Sequence, residues 1–253
     1  MSGVALVRPP GPRLDQGIVT HIERSPVDTD LAGSQHDGYV AALARHGWRP
    51  VVVPAADEHP DAVFVEDTVV VVEDLAVLTH PGALARRGEI AGTTAAVEDL
   101  GLRTARITAG GTLDGGDVLQ VDRTVYVGLG GRTNTEGIAQ LATLLGPLGR
   151  TVVTVPLLDV LHLKSAVTAL PDGRLIGVPH LIDTSPLPPV LVPPEEEGAH
   201  VVPLGGATVL VAASAPRTID WLDQQGFAPE VVDISEFEKL EGCVTCLSVL
   251  IGR

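Results

Sequence analysis

The chain has 253 residues, 45% of them apolar, which is enough for a substantial buried core. Its formal net charge of −15 argues against binding to nucleic acid or anionic membranes and suits a cationic small molecule. With two cysteines, no signal peptide and no apolar run of about 20 residues, the sequence predicts a soluble cytoplasmic protein without a disulfide framework.

A glycine stands five times just before a short, mostly apolar stretch, at Gly47, Gly101, Gly149, Gly198 and Gly226. Helix-like segments precede four of these glycines, at residues 39–46, 93–100, 135–148 and 216–225. Because glycine commonly ends a helix in the left-handed conformation, the pattern predicts helix, glycine and strand in succession. Strand pairs with hairpin turns are predicted ahead of the helices, at residues 68–81, 117–129 and 166–178.

The spacing of these copies predicts one supersecondary module repeated around an axis. The fourth copy, led by Gly198, has a Pro-rich loop in place of its helix. A doubly wound parallel sheet also alternates strand and helix, but no GxGxxG motif follows the first strand, where such a sheet binds dinucleotides. The sequence therefore favours one pseudo-symmetric α/β domain with its site near the axis.

Two acidic clusters lie at the edges of apolar segments. In DAVFVEDT, the carboxylates of Asp61, Glu66 and Asp67 alternate with strand-forming residues, and in TLDGGDVL, Asp114 and Asp117 flank a double glycine that lets backbone approach closely. Either cluster on its own is compatible with a solvated turn. Five carboxylates beside strongly apolar strands indicate a site for a planar cation, and guanidinium is the obvious candidate because carboxylates bind it bidentately.

His162 lies in a strand-like apolar run, VLHLKSAV, with Lys164 two residues later. A lone histidine on an apolar face is more often a core residue than a catalyst. If the run is a strand, both residues share one face. Two potential cations on one apolar strand favour the functional interpretation.

The two cysteines, Cys243 and Cys246, precede the strand-like segment LSVLI. A redox pair normally opens a helix, whose N-terminus lowers the thiol pKa, and a zinc site requires four ligands, whereas the sequence has no second pair. A nucleophile requires one thiol, a base and a pocket. The remaining alternative is two small buried residues, the commonest fate of free cysteine.

The segments FVEDT, TLDGGDVL, VYVGLGGRTN, LHLKS and CVTCLSVL, in this order, resemble the motifs of dimethylarginine dimethylaminohydrolases, members of the pentein superfamily of guanidine-modifying enzymes. The resemblance implies a five-bladed α/β propeller in one domain, residues 1–253, which agrees with the five glycine-led repeats. It implies hydrolysis of N-ω-methylated arginine to citrulline and dimethylamine or methylamine. It also implies that no metal or organic cofactor is needed, and we expect a monomer or homodimer.

By the same resemblance, Cys246 is the nucleophile and Cys243 is not. His162 matches the general acid and base, and Asp114 matches the carboxylate that orients this histidine. Cys246 would attack the guanidino carbon, and the thiouronium that results would be hydrolysed by a water that His162 deprotonates. A free thiol has a pKa of about 8.5 and is mostly protonated at neutral pH. The positive charge of a neighbouring guanidinium would favour the thiolate.

The substrate-binding residues that the resemblance implies are acids and arginines. Asp61, Glu66 and Asp67 match the acids, with Asp67 on the guanidinium. Arg86 and Arg132 match the arginines that hold the substrate carboxylate. The remaining matches are a contact with the backbone near Leu240 and a lid loop containing Val19.

Two other functions are compatible with these residues. Arginine deiminases resemble the scheme but have an aspartate two residues after the catalytic histidine, where this chain has Lys164, a difference that favours methylated arginine over arginine. A non-catalytic propeller scaffold is the other alternative. The charge of −15 and the set of Cys246, His162 and Asp114 argue against it.

Overall fold

A computed structural model describes residues 3–252 of the chain. Its strands are short and follow one another in pairs and triplets along this range. The strands are β1 Val4–Val7, β2 Arg49–Val52, β3 Val69–Val72, β4 Leu75–Leu78, β5 Arg103–Arg106, β6 Val118–Val121, β7 Thr124–Leu129, β8 Thr151–Pro156, β9 Val167–Ala169, β10 Leu175–Gly177, β11 Val190–Leu191, β12 Val201–Gly205, β13 Thr208–Ala212, β14 Ala228–Val232 and β15 Val249–Ile251. The helices are α1 Thr29–Arg45, α2 Ile90–Asp99, α3 Thr135–Leu145, α4 Pro216–Gln224 and α5 Ser235–Glu238.

The strands form five three-stranded sheets of one design. In each sheet an antiparallel pair is followed by a third strand parallel to the second. The orders are β3-β4-β5, β6-β7-β8, β9-β10-β11, β12-β13-β14 and β15-β1-β2. A parallel neighbour requires a crossover connection, which α1, α2, α3 and α4 provide in four sheets. In the β9-β10-β11 sheet, a single 3-10 turn and a Pro-rich loop replace the helix.

The predicted succession of helix, glycine and strand is confirmed in four of the five copies. Gly47, Gly101, Gly149 and Gly226 have left-handed φ angles of 78°, 74°, 67° and 88° and lead the third strand of their sheets. Gly198 also precedes a strand, but this strand is β12, the first strand of another sheet, so the predicted place of Gly198 in the repeat was wrong. The third strand of the β9-β10-β11 sheet is β11, and the prolines around it, which lack the N–H needed for pairing, limit it to two residues.

The five sheets stand around a common axis. Residues from the first strand of every sheet, β3, β6, β9, β12 and β15, line one axial channel with a volume of about 270 Å³. Within residues 3–252, the buried apolar side chains form five clusters, one between each pair of neighbouring sheets. The five-bladed propeller predicted from the sequence is confirmed.

This arrangement explains why the middle strand of each sheet is largely apolar on both faces. Successive side chains of a strand point to opposite sides, and here each side packs against a different neighbouring sheet. In β13, Val209 and Val211 join the cluster shared with the β9-β10-β11 sheet, whereas Leu210 and Ala212 join the cluster shared with β1 and α1.

Among residues 3–252, no helix has the length and apolar character needed to cross a bilayer.

The two ends of the described chain meet in the last sheet. β15 pairs with β1 in antiparallel register, Ile251 opposite Val4 and Val249 opposite Leu6. β1 in turn pairs with β2 in parallel. The ring is therefore closed by backbone hydrogen bonds between strands from opposite ends of the sequence.

Candidate active site

A short turn precedes the first strand of each sheet. The turns before β3, β6, β9 and β12 are single 3-10 segments, and the turn before β15 spans Cys243 to Ser248. Since the first strands line the axis, these turns meet at one end of the channel. Four of these turns carry candidate catalytic or substrate-binding residues. These residues are Asp67, Asp114, His162 and Cys246, each within its turn or immediately before it.

The strand-like interpretation of two of these segments was wrong. Val65–Thr68 and Leu163–Ser165 are 3-10 turns, and β3 and β9 begin only after them. The apolar residues Val65 and Leu163 are buried because they anchor the turns in the core, which gives them the composition of a strand. As a result His162 and Lys164 do not share a face.

Seven of the ten predicted site residues line one pocket at this end of the channel. They are Asp61, Asp67, Arg86, Arg132, His162, Leu240 and Cys246. Ile18, Phe64, Leu161, Glu241 and Gly242 complete the lining. Asp114 lies behind His162, while Val19 and Glu66 are not part of the lining.

His162 lies among three carboxylates. Its Nε2 atom is 3.1 Å from Asp114 Oδ2, and its Nδ1 atom is 3.8 Å from Asp67 Oδ1. Burial favours the neutral ring, but Asp67, Asp117 and Asp114 outweigh it and raise the pKa of His162 to about 9. The imidazolium is therefore the resting form at neutral pH and holds a proton that it can donate.

Asp114 and Asp117 are both fully buried and hold this region together. The second oxygen of Asp114 accepts the N–H of Gly82 at 2.9 Å. Asp117 accepts the N–H of Leu163 at 2.9 Å and the hydroxyl of Thr133 at 2.6 Å. Burial raises the pKa of Asp117 to about 6. The sequence analysis included Asp117 in an acidic motif but assigned it no role. Its position beside the double glycine was the one feature that could have indicated its importance.

Cys246 is buried next to the second cysteine. Its Sγ atom lies 3.2 Å from Cys243 Sγ and accepts the N–H of Cys243 at 3.4 Å. Contact with Cys243, burial, and the negative charges of Glu66 and Asp67 raise the pKa of the Cys246 thiol well above its usual range. The thiol is therefore protonated at rest, and a cation beside it would favour the thiolate.

Arg86 is engaged by acceptors on every side. It forms ion pairs with Asp67 and Glu89, and its Nη2 also donates to the carbonyls of Asp61 and Phe64, each at 3.1 Å. Burial alone would raise the pKa of Asp67, but His162 and Arg86 hold it well below its usual range. Asp67 is thus an anion facing the pocket.

Arg132 is the second predicted arginine at the pocket. Its Nη1 atom lies 3.7 Å from Asp114 Oδ2, and its side chain is 12% exposed. Arg86 is almost fully buried by comparison, at 5%. Of the two, Arg132 is the one whose side chain reaches solvent.

The loop after Gly17 covers the pocket. The N–H of Ile18 donates to Asp61 at 2.9 Å, and the N–H of Thr20 donates to Glu241 at 2.8 Å. Ile18 lines the pocket, while Val19 packs against the neighbouring hydrophobic core. The sequence placed the loop correctly beside the site but named the residue next to the one that faces it.

Glu66 points away from the pocket into the axial channel. Its carboxylate pairs with Lys164 at 2.6 Å. Lys164 also lines the channel rather than the pocket.

Asp67, Asp114 and His162 have ligand atoms within 4.8 Å of one another, a spacing compatible with a metal ion. A metal would have to displace the proton that the carboxylates favour on His162. The same carboxylates would also stabilise an organic cation in the pocket.

The chain is similar to known proteins along nearly its whole length. The profile of a family described as N,N dimethylarginine dimethylhydrolase, eukaryotic, matches residues 22–165. The N(G),N(G)-dimethylarginine dimethylaminohydrolase of Streptomyces coelicolor is 57% identical over 246 residues, 97% of this chain and 95% of the relative. The enzyme of the same name from Pseudomonas aeruginosa is 31% identical over 252 residues, 96% of this chain and 97% of the relative.

Solved structures are similar in fold. A cysteine-to-serine mutant of the Pseudomonas aeruginosa enzyme complexed with citrulline has a TM-score of 0.91 and 31% identity, covering 99% of this chain and 100% of that one. The N-terminal domain of a cyanobacterial arginine dihydrolase has a TM-score of 0.89, covering 99% of this chain and 98% of that one, but its 20% identity limits the likeness to the fold. On the strength of the near-complete matches at 57% and 31% identity, the chain belongs to the dimethylarginine dimethylaminohydrolase family.

Proposed function

We propose that this protein hydrolyses N-ω-methylated L-arginine to L-citrulline and dimethylamine or methylamine through a covalent intermediate on Cys246. The observation that carries the proposal is the common pocket of Cys246, the protonated His162 and the anionic Asp67. A guanidinium fits this set, because Asp67 attracts it and its charge lowers the pKa of the neighbouring thiol. The citrulline complex of the Pseudomonas aeruginosa relative supports the choice of product.

The first half of the reaction forms the covalent intermediate. The bound guanidinium lowers the pKa of the Cys246 thiol, which releases its proton to solvent. The thiolate attacks the central guanidino carbon, and His162 donates its proton to the departing nitrogen, so that dimethylamine leaves as a neutral amine. Asp114 keeps the imidazole oriented for this transfer, since it hydrogen-bonds the opposite ring nitrogen. The product of this half is a thiouronium on Cys246.

The second half releases the product. His162, now neutral, takes a proton from water, and the hydroxide that forms adds to the thiouronium carbon. The C–S bond then breaks, and the proton of the added hydroxyl passes to the sulfur, which yields citrulline and restores the resting thiol. Arg132, whose side chain reaches solvent at the pocket rim, is the better placed of the two arginines to hold the substrate's carboxylate.

Substrate entry requires the loop around Ile18 to move. The pocket has a volume of about 20 Å³, room for about one water molecule. Methylarginine is far larger, so the hydrogen bonds from Ile18 to Asp61 and from Thr20 to Glu241 would open and re-form in each cycle.

We further propose that residues 1–253 act as one catalytic domain in the cytoplasm, as a monomer or homodimer, with no nucleic acid or membrane partner.

The test is steady-state turnover of arginine, monomethylarginine and asymmetric dimethylarginine, with each released amine identified. Dimethylamine and methylamine as main products support the proposal. Ammonia from arginine as the main reaction would instead favour an arginine deiminase. Cys246→Ser should lower kcat by at least about 10³-fold, and Cys243→Ser, the matched control, should leave turnover nearly intact. A loss at Cys243 as deep as that at Cys246 would indicate a mechanism that uses both cysteines.

A further inference from the structure

Three turns of the site are joined on the side that faces away from the pocket. Each carries a polar side chain close in sequence to a candidate catalytic or binding residue. Glu66 stands beside Asp67, Lys164 follows His162 by two residues, and Thr245 stands beside Cys246. All three of these neighbours line the axial channel, so they point opposite to the pocket residues.

Glu66 lies at the centre of the contact among these three side chains. Its Oε1 accepts the ammonium of Lys164 at 2.6 Å, and its Oε2 accepts the hydroxyl of Thr245 at 2.9 Å. Its backbone N–H donates to the carbonyl of Cys246 at 3.2 Å. One residue thus connects the Asp67 turn with both the His162 turn and the Cys246 turn.

The contact is buried and complete. Glu66 is 8% exposed and Thr245 is 7% exposed, and both carboxylate oxygens have partners. A buried ion pair contributes little to stability compared with apolar residues of the same volume. Its geometric effect is larger, because single 3-10 turns have few hydrogen bonds of their own and a displacement of about 1 Å at a reacting group can cost about 10²-fold in rate.

We propose that Glu66, Lys164 and Thr245 are positioning residues that fix Asp67, His162 and Cys246 relative to one another. This inference rests on the proposed function and assigns Glu66 a place behind the pocket instead of a contact with substrate. The three residues hold the turns in register from the channel side. Their loss should lower kcat more than it raises KM, because the substrate contacts themselves remain.

Thr245→Val tests the proposal, because it removes the hydroxyl and keeps the shape. We expect kcat for dimethylarginine to fall about 10-fold to 100-fold with KM within about 3-fold, and a modest fall in melting temperature because Glu66 Oε2 loses its buried donor. Thr245→Ser, which keeps the hydroxyl, should restore kcat to within about 3-fold of the wild-type value. Thr168→Val, the matched control, removes a buried hydroxyl that also borders the channel but donates to Ala199, and should leave kcat within about 2-fold.

Lys164→Met provides a second route to the same contact. Because Thr245 and Lys164 bind different oxygens of Glu66 and hold different turns, each single variant should lower kcat, and the double variant should lower it further than either one. Unchanged kcat in a folded Thr245→Val, unchanged kcat in a folded Lys164→Met, or a rise in KM alone would overturn the proposal. Failure of the wild-type protein to turn over any methylarginine would count against the proposed function, and the variants are compared only where the wild type is active.

Discussion

At the scale of single residues, the site depends on how charges are distributed around one imidazole and one thiol. Asp67, Asp114 and Asp117 keep His162 protonated, while Glu66 and Asp67 disfavour the thiolate of Cys246. The two groups are thus held as imidazolium and thiol until a cation enters. The sequence identified most of these residue types through their motifs. It did not indicate which side of a turn each one faces, so Glu66 and Asp67, adjacent in sequence, were given the same role.

We predict that the raised pKa of His162 sets the alkaline limit of activity. His162 is protonated below its pKa of about 9, so kcat/KM should fall as the pH rises through this value. Asp114→Asn removes one of the anions that raise the pKa, and should move the fall to lower pH, toward the ordinary pKa of about 6.5. Turnover from pH 6 to about 10.5 and NMR titration of the imidazole measure the shift. The Asp61 carboxylate accepts from Ile18 and has no hydrogen bond to His162, so Asp61→Asn should leave the limit in place; an equal shift in both variants would contradict the assignment.

At the scale of elements, the site is made of single turns in front of short strands. The sequence revealed that these segments matter, since apolar residues and carboxylates alternate in them, but it suggested strands where the structure has 3-10 turns. An apolar anchor such as Val65 or Leu163 has the same composition in a strand and in a buried turn, so only the packing separates the two. The double glycine was predicted correctly as a point of close backbone approach. A Cβ atom on Gly115 would lie 2.0 Å from the carbonyl oxygen of Glu66.

Gly115→Ala tests this approach of two turns. The new methyl group meets a backbone oxygen that cannot rotate away, so we expect the turns to separate and the protein to lose about 1–3 kcal/mol of unfolding free energy, with a large loss of turnover. Gly131→Ala is the matched control, because its Cβ atom would have nothing within 4 Å, and should change stability by less than about 0.5 kcal/mol. Urea unfolding gives both values. A Gly115→Ala protein as stable and active as the control would show that the turns tolerate a wider spacing.

At the scale of the whole molecule, five similar sheets share one axis, and the sequence predicted this from its repeats. Four left-handed glycines gave a periodic signal because the same crossover recurs four times. The crossover from β10 to β11 gave no such signal, since its helix is absent and β11 has only two residues. The antiparallel pairing of β15 with β1 joins residues nearly the whole sequence apart. Local patterns do not encode such a contact, and only the need to close the ring implied it.

The pairing of β1 and β15 predicts a circular permutant. Val4 lies opposite Ile251, so fusing Arg253 to Met1 would make a five-residue loop at the position where the other sheets have their hairpin turn. With new ends between Asp172 and Gly173, in the exposed turn between β9 and β10, we expect a folded protein with turnover near that of the natural order. New ends between Gly115 and Gly116, inside the site, should abolish turnover. Thermal unfolding and turnover are measured for both permutants. If the first permutant is unfolded, the proposed closure of the ring by β15 and β1 is contradicted.

The last sheet has a consequence for how the protein would lose activity. β15 is a three-residue edge strand that directly follows the turn of Cys246. Short edge elements open at a lower free energy than the whole domain, through local unfolding. Detachment of β15 would displace Cys246, the proposed nucleophile, while the other four sheets stay packed. Mild heat or denaturant would then inactivate the protein before its bulk secondary structure melts, and rebinding of one strand would be sufficient for recovery.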